Sequence, residues 1–507
     1  MARSRTFKAA MLASGTLLTS LVGLGSAMVL SRLLSKADFG TYQQTLLSYN
    51  LAAPLLAMGL PLALYYFLPR NRDRMRGTLV ENLLLLGVCG LAFMLFMFLG
   101  GNRLLASRAG EPNPTLERTL LIFAPYALFM LPAMAVSAVL VSTDHYRRLA
   151  MYNWMSRLAM LALAIGACLI WRSPSGAVAG QVVGAAAVFL PAMLLMWRSC
   201  PEGPSAPTWR GMREQIVYSF PLGLMRGFGA LRSQLDKLIV AAMFGAEAYA
   251  VYAVGAVELP LVGVLSTSIT GVLLPEATRL TQEDRQAEAL ALWRRAAVKS
   301  ALLVFPMTVF FVAMAPETMR VLFTKEYEGS AAPFRVYTLQ LPLRIVNVGN
   351  LFLSAGKGKL LLWVNVASLL VNAVLSFTLV SSLGPVGAAW GGLLSLVLCL
   401  FPLSLGWIGK HYGGRVGTVL PFATLSRTAG VAVFAGAVFL AKPYVGGIHD
   451  IPLLCLSATA YAVVVALLYD RFGILSARDL LTGLRNHWYV RQDGSPARSA
   501  SPEGRSE

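Results

Sequence analysis

Charged and amide side chains within long apolar stretches are the residues of this sequence best suited to binding chemistry. Seven ionisable residues of this kind stand out: Arg157, Arg226, Arg232, Asp236, Lys237, Glu258 and Arg344. Asn153 and Asn347 add hydrogen-bonding groups to the stretches that contain Arg157 and Arg344. A central Arg or Lys costs about 2.5–3.5 kcal/mol in a bilayer even on a lenient insertion scale. Several together therefore predict a shared polar interior rather than contact with lipid.

Helical spacing sorts the charges around Arg226. At about 100° per residue, Arg226, Ser233 and Lys237 fall on one stripe, within roughly 40° of one another. Arg232 and Asp236 are four positions apart, which suits a local ion pair on an adjoining face. The whole set has more cations than anions, which predicts an anionic ligand, and guanidinium groups bind phosphate bidentately. The alternatives are interhelical ion pairs and side chains that extend to the membrane interface.

The elements that must position these residues are transmembrane helices. Of all residues, 13% are charged and 56% are hydrophobic, and the mean hydropathy is +0.63. Apolar runs of about twenty residues, long enough to cross roughly 30 Å of hydrocarbon, recur along the whole chain. They predict an all-α integral membrane protein with about fourteen spans. The predicted spans are 11–34, 40–68, 79–100, 119–142, 149–171, 176–197, 216–244, 247–275, 298–316, 333–355, 360–382, 386–408, 418–441 and 451–470.

Basic residues predict the orientation of these spans. With the N-terminus inside, inner segments hold roughly 27 Lys and Arg residues and outer segments roughly 10, so both termini are predicted to be cytoplasmic. The net charge of +19 does not indicate nucleic-acid binding, because the positive residues are dispersed. The apolar N-terminal stretch has no clear cleavage site and is predicted to remain as the first helix. Segment 281–300 is predicted to be a surface helix with Leu290 and Trp293 towards lipid headgroups.

An internal repeat divides the chain into two similar halves. Residues about 211 positions apart match: Pro174, Gly176, Gly180 and Pro191 correspond to Pro385, Gly387, Gly391 and Pro402. Each half contains an even number of spans, so the repeat is parallel, and transporters built this way bind substrate between their halves. The predicted domains are six-helix bundles over 1–213 and 214–415, two extra helices over 416–475, and a cytoplasmic tail, largely disordered, over 476–507.

Several short motifs occur in a fixed order along the chain. They are RLLSKADFGTY at Arg32–Tyr42, QLDKLIV at Gln234–Val240, FGAEAYAVY at Phe244–Tyr252, SAGKGK at Ser354–Lys359 and LGPVGAAW at Leu383–Trp390. They resemble the polysaccharide (oligosaccharide) flippases, the Wzx-like proteins of the multidrug/oligosaccharidyl-lipid/polysaccharide (MOP) exporter superfamily, over about residues 8–440. No family motif fixes Arg226, Arg232 or Arg344, which are assigned by their depth in the membrane.

That resemblance implies two six-helix bundles around a central cavity, often followed by two extra helices. It also implies transport of undecaprenyl-pyrophosphate-linked sugar units across the bacterial inner membrane, for O-antigen, exopolysaccharide or another surface polysaccharide. The implied partners are membrane lipids, this lipid-linked glycan and other polysaccharide assembly proteins, and no nucleic acid. A basic cavity that binds pyrophosphate agrees with the charge argument made from the residues alone.

Two other transporter classes and an enzyme compete with this interpretation. A cation-coupled drug exporter of the same superfamily would favour an acidic, aromatic cavity, and a lipid II flippase is expected to carry a deep arginine in its first span, which this chain lacks. A polysaccharide polymerase would need catalytic groups, but no DxD, HExxH, GxSxG or Walker motif stands out. No metal or other cofactor is predicted, because the cysteines lack ligand spacing. Coupling to H⁺ or Na⁺ at Glu258 or Asp236 stays open beside a counter-ion role.

Overall fold

Helices make up the regular structure of the chain. The computed structural model describes residues 5–200, 203–257, 260–344, 348–412, 419–444 and 449–474, and it contains no strand in those ranges. This confirms the predicted all-α membrane fold. The predicted tail over 476–507 lies outside the described residues. The domain boundaries proposed from the sequence stay a prediction.

The part of the chain before residue 200 forms a series of helices separated by short turns. They are α1 (Arg5–Leu33), α2 (Lys36–Leu56), α3 (Leu60–Arg70), α4 (Met75–Phe96), α5 (Asn102–Ser107), α6 (Pro114–Phe123), α7 (Tyr126–Ala133), α8 (Ala135–Ser142), α9 (Tyr146–Trp171) and α10 (Pro174–Ser199). Ser35 and Ser173 begin α2 and α10, because their side-chain oxygens accept hydrogen bonds from backbone N–H groups of the first turn.

The remaining helices follow a linker that ends at Thr208. They are α11 (Trp209–Met243), α12 (Ala246–Gly255), α13 (Pro260–Gln282), α14 (Gln286–Ala313), α15 (Ala315–Leu322), α16 (Ala331–Leu339), α17 (Leu341–Arg344), α18 (Gly349–Ser354), α19 (Gly358–Leu383), α20 (Pro385–Ser395), α21 (Phe401–His411), α22 (Phe422–Ala435) and α23 (Asp450–Arg471). Thr208 caps α11, which has 35 residues and is therefore about 52 Å long.

Many of these helices are long and apolar enough to cross a membrane. Eight qualify among the described residues, and up to ten if each of two bent pairs counts as one span. The α2–α3 pair bends by 41°, where Met58 and Gly59 both have positive φ. Charged residues interrupt α11, so its apolar character is weaker. The chain is a multi-pass membrane protein, and the total of fourteen spans stays a prediction.

Matching helical hairpins occur in the two halves. Helices α9 and α10 pack side by side, and a side chain at Gly180 would overlap the backbone of α9. Helices α19 and α20 pack in the same way, and a side chain at Gly391 would overlap Ser376 of α19. Small residues let helix backbones approach closely in a membrane. The glycines of the sequence repeat therefore have the same role in both hairpins.

The two halves touch at the end of the bundle where α2 and α12 begin, here called the acidic end. A side chain at Gly40 would overlap the carbonyl of Ala246, so α2 and α12 lie in close backbone contact. A cavity of about 540 Å³ opens beside this contact and is lined by Asp38, Glu111 and Glu247 among others. The halves are thus closed against each other at this end.

A buried polar network joins α4 to α11 at the opposite end, here called the basic end. Glu81 is 1% exposed and accepts hydrogen bonds from Arg74 at 2.7 Å, from the Thr208 amide and hydroxyl at 2.8 Å each, and from Gln215 at 3.2 Å. Asn82 is fully buried and donates to Gln215 at 2.8 Å. Buried polar groups are stable only when they are paired in this way, so the network fixes the start of α11 against α4.

The predicted surface helix over 281–300 is wrong. Helix α14 begins at Gln286 within this segment and continues to Ala313, and its residues Leu290 and Trp293 are 5% and 2% exposed. Both pack in an apolar cluster with Leu273 and Ile408. Amphipathic spacing indicates one apolar face, but it does not distinguish a face that packs on protein from one that meets lipid headgroups.

The last helix is tied to the second half by an ion pair at the acidic end. Arg320 donates to both carboxylate oxygens of Asp450, at 2.8 and 3.0 Å. This hydrogen bonding raises the pKa of Arg320 above its usual value. The arginine also contacts Glu317 and Glu328, so α15 and α23 are held together by a small charge network.

Candidate functional site

A cavity of about 430 Å³ lies between the two halves. Its walls come from α1 and α2 on one side and from α11, α12, α16 and α17 on the other. Lys237 and Arg344 both line it, together with Ser233 and Gln234. The predicted meeting of Lys237 with Arg344 therefore occurs. The described residues that line this central cavity include these two cations and no carboxylate, so its charge is positive.

Asp236 is not among the residues that line this cavity, and it is buried beside tyrosines. It is 5% exposed, and one of its carboxylate oxygens accepts a hydrogen bond from Tyr252 at 2.6 Å and another from Tyr337. No salt bridge joins it to Arg232 within the described part of the chain. The local ion pair expected from the four-residue spacing does not form, because hydroxyl donors on α12 and α16 take the carboxylate instead.

Arg232 lies half-buried on α11. Its Nε atom is buried without a hydrogen-bond partner among the described residues, and Asn372 donates to its backbone carbonyl at 3.3 Å. Arg344 lies within electrostatic range of it. Burying a guanidinium N–H without a hydrogen-bond acceptor costs free energy. A ligand that supplies an acceptor oxygen beside Arg232 would remove that cost.

Arg226 lines a second cavity, of about 430 Å³, nearer the basic end. This cavity lies at the bend between α2 and α3 and includes Gly59, Tyr65 and Ala230. Arg226 and Lys237 are eleven residues apart on one helix, which is about 16 Å along its axis. The predicted stripe is thus divided: Ser233 and Lys237 face the central cavity, and Arg226 faces the second one.

Arg157 lines a third cavity, of about 330 Å³, that lies within the first half and adjoins the central one. Tyr49, Tyr126 and Gln181 also line it. The two cavities share four lining residues, namely Gly23, Ala27, Gln43 and Asn50. Asn153, one helical turn before Arg157, lies near Gly15 of α1. Arg157 is therefore next to the central cavity rather than inside it.

Two predicted site residues cannot be placed. Glu258 and Asn347 lie outside the described residues. Sequence reasoning also missed Gln43, Asn50 and Tyr337, which line the central cavity. Gln43 and Asn50 are polar residues in a predicted span, a signal that could have identified them.

The helical fold and the cavity between the two halves define a class, the multi-pass membrane proteins built from two similar helical halves. The sequence matches the family described as polysaccharide biosynthesis protein over residues 29–332, more than half of the chain, and the protein belongs to that family. The matched residues include Arg157 and Lys237 but end before Arg344. No curated protein matches the chain.

Solved structures of related transporters share this fold. The chain is similar to the lipid II flippase MurJ in an inward closed conformation, with a TM-score of 0.74, 12% identity, and coverage of 93% of this chain and 99% of that one. It is similar to an inward-facing MATE family multidrug resistance transporter, with a TM-score of 0.60, 14% identity, and coverage of 78% and 94%.

A third similar structure is a MOP superfamily transporter from Pyrococcus furiosus, whose binding pocket is described as having reverse polarity that suggests a different function. Its TM-score is 0.59 and its identity 16%, with coverage of 81% of this chain and 96% of that one. Identities this low establish the fold only.

Proposed function

We propose that this protein is a flippase that moves undecaprenyl-pyrophosphate-linked oligosaccharide units across the bacterial inner membrane, for the synthesis of surface or exported polysaccharide. The observation that carries the proposal is the positive central cavity between the halves, with Lys237 and Arg344 in its wall. The family description, polysaccharide biosynthesis protein, supports the same pathway class.

The charges explain why such a cavity suits a diphosphate. Cations buried in a membrane are stabilised when a polar or anionic partner occupies the space beside them. The guanidinium of Arg344 and the ammonium of Lys237, on α17 and α11 of the same side of the cavity, can each bind a phosphate oxygen. Charge-assisted hydrogen bonds of this kind contribute about 1.5–3 kcal/mol each. The polyprenyl chain would remain in lipid while the headgroup occupies the cavity.

Alternating access follows from where the halves touch. Close contacts at Gly40 close the acidic end, and the Glu81 network holds α11 against α4 at the basic end. In the proposed cycle the halves separate at one end and then at the other around the central cavity. Coupling to H⁺ or Na⁺ remains part of the proposal, with Asp236 or Glu258 as the residues that would carry it.

A drug exporter is the less suitable interpretation of this cavity. An exporter of organic cations would need carboxylates facing its ligand, but the Asp236 carboxylate is engaged by two tyrosine hydroxyls. The likeness to a lipid II flippase concerns the fold, so lipid II is included as a comparison substrate in the test.

A deletion strain complemented with variants tests the proposal. Lys237→Ala and Arg344→Ala should each weaken headgroup binding about tenfold to a hundredfold. Lipid-linked oligosaccharide should then accumulate on the cytoplasmic leaflet, measured by extraction and by its protection from an external glycosidase. Lys359→Ala is the matched control, because Lys359 is exposed at the start of α19.

Three results would decide against the proposal. Normal export in the Lys237→Ala, Arg344→Ala double variant would remove the role of the cavity. Accumulation of lipid II in the deletion strain would assign the protein to cell-wall synthesis instead. Loss of drug resistance without any lipid-linked intermediate would favour an exporter.

A further inference from the structure

The cavity around Arg157 differs from the central cavity in its chemistry. We call it the tyrosine pocket and define it by Tyr49, Tyr126, Asn50, Arg157 and Gln181. All of its walls belong to helices of the first half. Its volume of about 330 Å³ lies within the range of small-molecule sites. The pocket is large enough to hold a ligand of its own.

Several polar side chains of this pocket have no hydrogen-bond or salt-bridge partner among the residues that the structure describes. Arg157 and Asn50 are exposed to the cavity, and Gln43 is half-buried beside them. Within the described part of the chain, none of the three makes a hydrogen bond or a salt bridge. Arg74 and Arg320, in contrast, are each held by carboxylates. A guanidinium and two carboxamides together offer many donors and two acceptors to a ligand.

Aromatic rings also line the pocket. The rings of Tyr49 and Tyr126 meet edge to face, with centroids 4.8 Å apart, and Tyr126 stacks on Phe123 at 4.5 Å. This packing holds the rings in place. Gln181 donates a hydrogen bond to the hydroxyl of Tyr42 at 2.9 Å, which holds the Gln181 side chain in place in the pocket wall. Phe123 and Tyr126 are buried, and the half-buried ring of Tyr49 lies next to the amide of Asn50 in the chain. An aromatic ring beside amides matches a sugar ring, whose C–H face packs on aromatics while its hydroxyls form hydrogen bonds.

The pocket lies directly beside the proposed diphosphate position. Gly23, Ala27, Gln43 and Asn50 line both the pocket and the central cavity. Two of these residues are small, so the boundary carries little side-chain bulk. A ligand with phosphate at Lys237 can therefore place the group attached to that phosphate in the pocket.

We infer that the tyrosine pocket is a sugar subsite, which holds a sugar ring of the lipid-linked glycan while its diphosphate occupies the central cavity. This inference rests on the proposed function and extends it, because it assigns the sugar and the diphosphate of the headgroup to two different cavities. Recognition of the sugar then depends on the first half, whereas the two cations proposed to bind the diphosphate, Lys237 and Arg344, belong to the second half.

Binding of two lipid probes to the full-length protein in nanodiscs tests the inference. The probes are undecaprenyl diphosphate and undecaprenyl diphosphate that carries a single hexose. The wild-type protein should bind the hexose probe about tenfold more tightly. Arg157→Met and Gln181→Leu change residues that line the tyrosine pocket and not the central cavity. Each should reduce this preference to about twofold or less, with unchanged affinity for the sugar-free probe, which also shows that the variant is folded. Lys237→Ala should weaken binding of both probes by the same factor.

Arg147→Ala is the matched control, since Arg147 is exposed at the start of the same helix and should leave both affinities unchanged. A hexose preference that persists in both Arg157→Met and Gln181→Leu would overturn the subsite. Equal wild-type affinity for the two probes would overturn it as well, while the diphosphate site would stand. Failure of the wild-type protein to bind either probe would overturn the proposed function and the subsite together.

Discussion

Removal of the Glu81 carboxylate should release the start of α11 at the basic end. The carboxylate accepts four hydrogen bonds, one of them from Arg74, and is almost fully buried. Breaking a buried charged pair costs about 3–5 kcal/mol. Arg74 is 31% exposed and can be solvated again, so the lower value of about 3 kcal/mol applies to Glu81→Ala.

Hydrogen exchange provides a local measurement of that loss. The amide of Thr208 donates directly to Glu81 at 2.8 Å, so its protection reports whether the network is intact. A loss of about 3 kcal/mol corresponds to about a hundredfold faster exchange in peptides that contain Thr208. Peptides from α23, far from the network along the chain, should exchange at their wild-type rate.

Glu283→Ala is the matched control for this experiment. Glu283 also pairs with two arginines, Arg279 and Arg285, but its side chain is 39% exposed. Exposed pairs contribute at most about 1 kcal/mol, so exchange at Thr208 should not change. An exchange rate at Thr208 that changes less than about threefold in Glu81→Ala would refute the assigned role of the network.

Three further outcomes are expected. Asp236→Ala removes the acceptor of the buried Tyr252 hydroxyl and of the half-buried Tyr337 hydroxyl. It should cost about 2 kcal/mol in equilibrium unfolding in mixed micelles, and Asp236→Asn should cost less; equal costs would contradict this. Gly40→Val should separate the halves at the acidic end, seen as a longer distance between spin labels at Arg108 and Glu247. Single cysteines at Asp73 and Arg108 should be labelled from the cytoplasmic and the outer face respectively, and the reverse pattern would overturn the predicted orientation.

The choice of position 108 for labelling follows from the structure. The sequence alone favours Gly110 as a probe, because it lies near the middle of a predicted outer loop. In the structure a side chain at Gly110 would overlap the backbone of Phe244. Arg108 is exposed on the same turn and avoids that contact.

The helical architecture could be predicted from the sequence because hydrocarbon thickness imposes one length on every span. The hairpin glycines could be predicted too, since close backbone approach at Gly180 and Gly391 requires the same residue type in both halves. A position for Lys237 in the wall of a cavity could be expected from the cost of burying a charge in lipid. These inferences depend on local composition and on one repeat.

The pairing of the charges could not be predicted, because partners distant in sequence decide it. Tyr337, which donates to Asp236, lies 101 residues later on another helix, and no local pattern indicates that contact. Spacing within α11 was equally compatible with a bond to Arg232. Likewise, helical geometry placed Arg226 on the face of Lys237, but the bend between α2 and α3 places it in a different cavity.

Gln43 and Asn50 line both the tyrosine pocket and the central cavity. An amide that turns to meet a group on one side loses its orientation towards the other. Binding of a group in one of these cavities therefore changes the free energy of binding in the other, as expected for sites that share residues. Affinities measured for the separate fragments of a two-part ligand should not sum to the affinity of the whole.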